Sequence, residues 1–159
     1  VLEKIPNTKF VVAGSGDMEY YMINKAAELG ISNNLQFTGF LRGPDIDKAY
    51  RMADVYVMPS ISEPFGITPL EAMMHGTPTI ISKQSGVSEV VSHALKVDFW
   101  DIDEMANKII SILNYRSLTE TIRDNGFAEV QKFDWKIPAR KCAQVYTNVL
   151  AEKGGKTRW

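Results

Sequence analysis

Short apolar runs alternate with amphipathic stretches along most of this chain. The apolar runs at 9–13, 35–38, 54–58, 78–82 and 95–97 read as β-strands, and helical spacing of apolar positions between them predicts helices over about 18–29, 46–52, 69–75 and 87–92. Such alternation implies a parallel sheet whose strands are joined by right-handed helical crossovers. After Asp101 the pattern becomes wholly helical. Met105, Ile109, Ile112 and Leu113 share one face, and further helices are expected over 122–130 and 139–150. The expected fold class is therefore α/β: a Rossmann-like, doubly wound parallel sheet followed by C-terminal helices. Trp135, in Phe133-Asp134-Trp135, is expected to anchor a turn between helices by packing inward.

Composition narrows the classes of function. The chain has 159 residues, enough for one domain with a doubly wound core, assigned here to 1–150 with a flexible tail at 151–159. Its net charge is −1 and both signs are mixed along it, with no basic stripe carrying interleaved aromatics. Nucleic acid is thus not an expected partner. Cys142 is the only cysteine, which excludes an intrachain disulfide and suits a reducing, cytoplasmic setting. No stretch approaches the roughly 20 apolar residues that a membrane-spanning helix requires. Neither His75 nor His93 belongs to a cluster with ligand spacing, so no metal site is expected.

The candidate chemistry concentrates in Ser60-Ile61-Ser62-Glu63-Pro64-Phe65-Gly66-Ile67-Thr68-Pro69-Leu70-Glu71, where two glutamates flank a Pro-Phe-Gly turn between a strand and a helix. Open α/β sheets bind ligands at such carboxyl ends of strands. An ionised carboxylate offers about four lone-pair sites, so each glutamate could take both protons of a vicinal diol. Glu71 has a second reading: Thr68-Pro69-Leu70-Glu71 spells a capping box that needs no ligand. Glu63 has no helix to serve, and its alternative is a solvated loop acid.

Other motifs carry less. Asp45-Ile46-Asp47 and Asp101-Ile102-Asp103 have the spacing of cation-binding acid pairs, but both stand where acids favour a helix N-terminus. Gly14-Ser15-Gly16 follows a strand as a dinucleotide fingerprint does, yet Glu19 occupies the third glycine position, so NAD is not expected. Phe40 can be read as core or as a ligand contact.

The motif run and its flanks resemble the Glu-x7-Glu signature of the two-domain (GT-B) retaining glycosyltransferases of glycogen-synthase and sucrose-synthase type. The strand Ala53-Asp54-Val55-Tyr56-Val57-Met58-Pro59-Ser60 and the continuation Glu71-Ala72-Met73-Met74-His75-Gly76-Thr77-Pro78 also resemble that family. So does Ser85-Gly86-Val87-Ser88-Glu89, with Ser85 in place of a usual glycine. The resemblance implies a C-terminal domain that holds a nucleoside-diphosphate sugar as substrate, without metal or other cofactor. It places Glu63 at the catalytic centre on donor-sugar hydroxyls and Glu71 on the ribose. Phe65, Gly66, Ile67 and Thr68 would meet the donor through the turn and the helix N-terminus, and Gly14, Gly16, Phe40 and Gly86 would line its cleft.

The resemblance also implies partners. The family's first strand, with its Gly-Arg turn and downstream lysine, is not in this sequence, so the chain is expected to be a piece of a longer enzyme whose N-terminal domain binds the acceptor. The missing strand would be central. The sheet is then expected either to close by pairing of strands 9–13 and 54–58 or to be completed by another chain, including a second copy. Peripheral membrane association of the full-length enzyme is compatible with the resemblance. On its own, the chain is expected to turn over nothing. A nucleotide-sugar epimerase and a non-catalytic interaction domain are the alternatives.

Overall fold

A computed structural model describes residues 1–154. The elements run β1 (Phe10–Ala13), α1 (Glu19–Glu28), β2 (Leu35–Gly39), α2 (Pro44–Met52), β3 (Tyr56–Met58), α3 (Thr68–Met74), β4 (Thr79–Ser82), β5 (Leu95–Val97), α4 (Ile102–Asn114), α5 (Arg116–Val130) and α6 (Lys136–Gly154). All the strand pairings within the sheets are parallel, as the α/β alternation requires.

β4 is the centre of the better-built half. Its four residues are all buried, and it pairs with β3 on one side and β5 on the other. Successive strand side chains point to opposite faces. Ile81 therefore joins Met58, Met73, Val87, Val91 and Val130 in one core, while Ile80 joins Val97 and Ile109 in another. Met105 and Leu113 pack against that second core, as the helical spacing after Asp101 predicts. Each fully buried aliphatic side chain stabilises the fold by about 1.5–3 kcal/mol. Gly126 lets α5 lie close to the layer beneath it: a Cβ there would meet the His93 carbonyl oxygen and Met73 Cε at 3.4 Å.

The sheet does not close. β1 pairs with β2 in one two-stranded sheet and β3–β4–β5 form another, with no pairing between β1 and β3. Direct pairing of those two strands, one of the two expected outcomes, is thereby excluded. The β1–α1–β2 half buries only Ala26 among its hydrophobic residues and leaves Val11, Tyr20 and Tyr21 exposed. Its apolar side chains lack a covering layer. The accessible surface is 11375 Å², against about 8,000 Å² for a compact monomer of this mass.

Several boundaries differ from the sequence reading for identifiable reasons. α2 begins two residues early, because Gly43 turns the chain at φ +53° and Pro44 fits the first helical turn. The helix expected over 87–92 is only a 3₁₀ turn at Gly86–Glu89. α5 starts at Arg116 with only Tyr115 between it and α4, and the Thr119 hydroxyl donates to the Ile112 carbonyl to lock the corner. Trp135 does not pack inward; it is 75% exposed at the foot of α6. α6 runs on through Gly154, and the rest of the segment expected as a tail, 155–159, lies outside the described residues. Among the described residues, no helix is long and apolar enough to cross a membrane.

Candidate functional site

The chain leaves β3 at Met58 and enters α3 at Thr68 through the glutamate-bearing loop. Gly66 makes the turn at φ +95°, where an L side chain is strained, and a Cβ there would meet Glu63 Cγ and Met58 Cε at 3.1 Å. Backbone bonds dock this loop onto the turn after β4. Gly86 N–H donates to the Glu63 carbonyl at 3.0 Å, Val87 N–H donates to the Phe65 carbonyl at 2.6 Å, and Glu63 and Ser85 form a parallel bridge. The Ser82 hydroxyl adds a bond to the Ser60 carbonyl at 2.7 Å. These contacts extend the β3–β4 pairing beyond the strand ends and hold the Glu63 backbone in place.

The Glu63 carboxylate itself is lightly held. The residue as a whole is half-buried, but the carboxylate's only hydrogen bond among the described residues, from the Phe65 amide at a long 3.4 Å, is exposed. The amides of Gly66, Ile67 and Thr68 donate to no described backbone acceptor. A carboxylate beside unspent donors can take hydroxyl groups on the acid and anionic oxygens on the amides.

Glu71 is held differently. The capping-box reading fails: Ile67 stands at the N-cap, no side chain caps α3, and the Thr68 hydroxyl donates to Met58 Sδ while accepting from Tyr56 at 2.8 Å. The Glu71 carboxylate instead accepts from the Tyr50 hydroxyl at 3.0 Å through Oε2. A hydrogen bond from a distant helix thus replaces the local one. Burial, then the hydrogen bond and negative charge of Glu71, push the Tyr50 phenol well above its ordinary range and keep it a donor. Burial also raises the Tyr56 phenol, the bond to Thr68 working the other way; the charges of Glu71 and Glu63 add to the rise, so both acids act on this one ring.

Gly14 and Gly39 meet where β1 and β2 end, with Gly14 N–H donating to the Gly39 carbonyl at 2.8 Å and Gly14 at φ +114°. Gly16 follows in the turn, its carbonyl accepting from the Glu19 amide. Phe40 projects from the same edge with 73% of its surface exposed, so the core reading of this ring is wrong. The structure thus joins Glu63, Phe65 and Gly86 directly, and joins Gly14 to the end of β2 separately. Gly86 serves by close approach: a Cβ there would lie 2.2 Å from the Pro64 carbonyl oxygen, and its amide is spent on Glu63.

The aspartate pairs have structural partners. Asp101 caps α4 by accepting from the Glu104 amide at 2.9 Å, Asp45 pairs with Lys48, and Asp47 bonds His75. Among the described residues, no three His, Cys, Asp or Glu side chains converge as a metal site. The hollows beside Lys9 and Asn33 and beside Arg51 and Arg123 include neither Glu63 nor Glu71 in their walls. Tyr50, Tyr56 and the Ser82 contact escape sequence reading, since each acts across many residues and leaves no local spacing signal.

A family model described as "Glycosyl transferases group 1" matches residues 1–129. A protein named as an uncharacterized glycosyltransferase from Methanocaldococcus jannaschii is 37% identical over 153 residues, covering 93% of this chain and 39% of that protein. Glycogen synthase from Mycobacterium tuberculosis is 30% identical over 154 residues, covering 94% of this chain and 36% of the relative. The chain therefore spans between about a third and two fifths of the length of these two curated relatives. Among solved structures, sucrose-phosphate synthase from Thermosynechococcus elongatus superposes with a TM-score of 0.82 at 28% identity, over 95% of this chain and 41% of that one. An Anabaena protein in complex with UDP-glucose superposes at 0.79 over 92% of this chain and 44% of that one; at 24% identity it shows the fold alone.

Proposed function

Because the chain belongs to the group 1 glycosyl transferases, we propose that the face built by Glu63, Phe65, Gly66, Ile67, Thr68 and Glu71 holds the nucleotide-sugar donor of a retaining hexosyl transfer. One observation carries this reading: the Glu63 backbone is pinned by Gly86 while its carboxylate is almost unpartnered, beside amides that no described backbone acceptor uses. An acid whose backbone the fold fixes while its carboxylate is left open to hydrogen-bond donors suits a group that takes a ligand. The relatives named glycogen synthase and sucrose-phosphate synthase support a glycosyl donor as that ligand.

In this reading Glu63 accepts from hydroxyls of the transferred sugar, Glu71 accepts from the ribose, and the amides near Gly66 meet the diphosphate. Phe40 and the Gly14–Gly16 turn line the nucleotide side. Glu63 orients the sugar rather than attacking it. The acceptor hydroxyl enters on the face from which the diphosphate leaves, so configuration is retained, and positioning with leaving-group stabilisation supplies most of the rate. No metal is required: the amides and bases from outside these residues meet the diphosphate charge. The acceptor wall comes from another domain. The single cysteine suits action in the cytoplasm.

The test uses the full-length enzyme. Melting is measured against UDP, ADP and GDP and their hexose conjugates, since a bound ligand raises stability by mass action. One nucleotide series should raise the melting temperature, and product analysis with acceptors should show a glycoside of retained configuration. A release of epimerised free sugar would point to an epimerase, and no shift with any nucleotide would overturn the donor site.

A further inference from the structure

Glu71 carries one oxygen that the protein holds and one that it leaves free. Oε2 accepts from Tyr50, whereas no hydrogen bond from a described side chain or amide reaches Oε1. Tyr50 is itself gripped on several sides. His75 stacks on its ring at 5.4 Å with 27° between planes, and Tyr56 meets it edge-on at 5.7 Å. The Thr77 hydroxyl donates to the Tyr50 carbonyl at 2.7 Å. His75 is fixed in turn, with Nδ1 against the Glu71 carbonyl at 2.8 Å and Nε2 against Asp47 at 3.1 Å. A ring held by two neighbours, on a backbone held by Thr77, delivers its hydroxyl to one place, and α2 thereby reaches across 21 residues to orient an acid on α3.

We propose that Tyr50 is a positioning residue that sets the Glu71 carboxylate for the donor ribose, and so determines how strongly the enzyme prefers ribonucleotides to their 2′-deoxy counterparts. The inference rests on the assignment of Glu71 to the ribose. A free glutamate side chain samples several rotamers, and immobilising one on binding weakens affinity by about two- to tenfold. Tyr50 meets that cost when the protein folds, before the donor arrives. The phenol stays protonated throughout, since burial and the adjacent carboxylate oppose its ionisation.

The test compares the full-length enzyme with its Tyr50→Phe and Glu71→Gln variants. The ligand is whichever of UDP, ADP and GDP the wild type binds most tightly, paired with the 2′-deoxy form, and both dissociation constants are measured calorimetrically. Tyr50→Phe keeps the ring and its stacking and removes only the hydroxyl. The wild type should favour the ribonucleotide by about tenfold or more, the scale of a hydrogen bond to a charged group. Tyr50→Phe should shrink that ratio by about two- to tenfold, with affinity for the deoxynucleotide little changed. A general loosening of the domain would weaken both ligands together and leave the ratio intact, so an intact ratio in Tyr50→Phe with a collapsed one in Glu71→Gln overturns the role of Tyr50. An intact ratio in both variants overturns the ribose assignment itself.

Discussion

The amide of Gly86 donates to the carbonyl of Glu63 at 3.0 Å, and no side chain fits at Gly86, because a Cβ would stand 2.2 Å from the Pro64 carbonyl oxygen. The glutamate-bearing loop and the turn after β4 are therefore one unit. Gly86→Ala must push the loop off the turn, at a cost of about 1–3 kcal/mol as for other overpacked sites. The expected result is a lowered melting temperature together with weakened nucleoside diphosphate binding in the full-length enzyme. Wild-type binding in a stably folded Gly86→Ala variant would show that the docking does not matter to the site.

Glu63→Ala removes the carboxylate and leaves the backbone bonds to Gly86 and the Glu63–Ser85 bridge free to form. Transfer activity of the full-length enzyme should fall by about 10²-fold or more, the scale of losing a contact that stabilises the transition state. Stability should change little, since among the described residues the carboxylate has only one long hydrogen bond. Turnover assays and melting curves on the same preparation separate the two effects.

Phe40 is 73% exposed, so Phe40→Ala should alter stability by no more than about 0.5 kcal/mol. If the ring lies against the donor base, nucleotide affinity should drop several-fold in the full-length enzyme; stacking of a base on an aromatic ring contributes about 1–3 kcal/mol in other nucleotide sites. Unchanged affinity would remove Phe40 from the site.

Glu129 on α5 ties down the turn before β5. Its carboxylate accepts from the Ser92 amide at 2.8 and 3.0 Å, from the His93 amide at 2.9 Å, and from His93 Nδ1 at 3.1 Å. Burial alone would raise its pKa, but these bonds to the ionised form outweigh burial and lower it. A folded-state value below the unfolded one means that the stabilisation is complete above the ordinary carboxylate range and is lost as pH falls through the folded value. Glu129→Ala should cost about 1.5–3 kcal/mol at neutral pH, with the gap to wild type closing in acid. Denaturant titrations at pH 7 and pH 3 would measure both.

Amide hydrogen exchange should report the divided sheet. In this chain the β4 amides, lying in a fully buried central strand, should be protected to nearly the global stability, while β1 and β2 should exchange faster. Equal protection in both sheets would mean that the β1–α1–β2 half is better supported than its single buried hydrophobic residue implies.

Much of this architecture was legible in sequence because it is local. Strand and helix order follow from apolar periods within single elements, and the strand positions match within two residues at each end. The glutamate loop was legible for the same reason: Glu63, Gly66 and Glu71 lie within one short run, and the Pro-Phe-Gly turn between strand and helix places them whatever surrounds them. The 3₁₀ turn at Gly86–Glu89 was misread as a helix because apolar spacing says nothing about hydrogen bonds to the neighbouring loop, and the Val87 amide is drawn to Phe65.

Glu71 shows where that reading stops. A capping box and a ligand contact use the same four residues, and a cap contributes only about 1 kcal/mol, so a partly buried phenol from elsewhere is enough to tip the balance. That phenol, Tyr50, lies 21 residues upstream, and Glu129 meets Ser92 across 37. Residue types and their local spacing thus determined the element order, the family resemblance and which acids to examine. The orientation of Glu71, the docking of Glu63 on Gly86, the exposure of Phe40 and Trp135 and the division of the sheet were decided by folding alone, because each depends on which groups compete for the same donor or the same cover once distant elements come together.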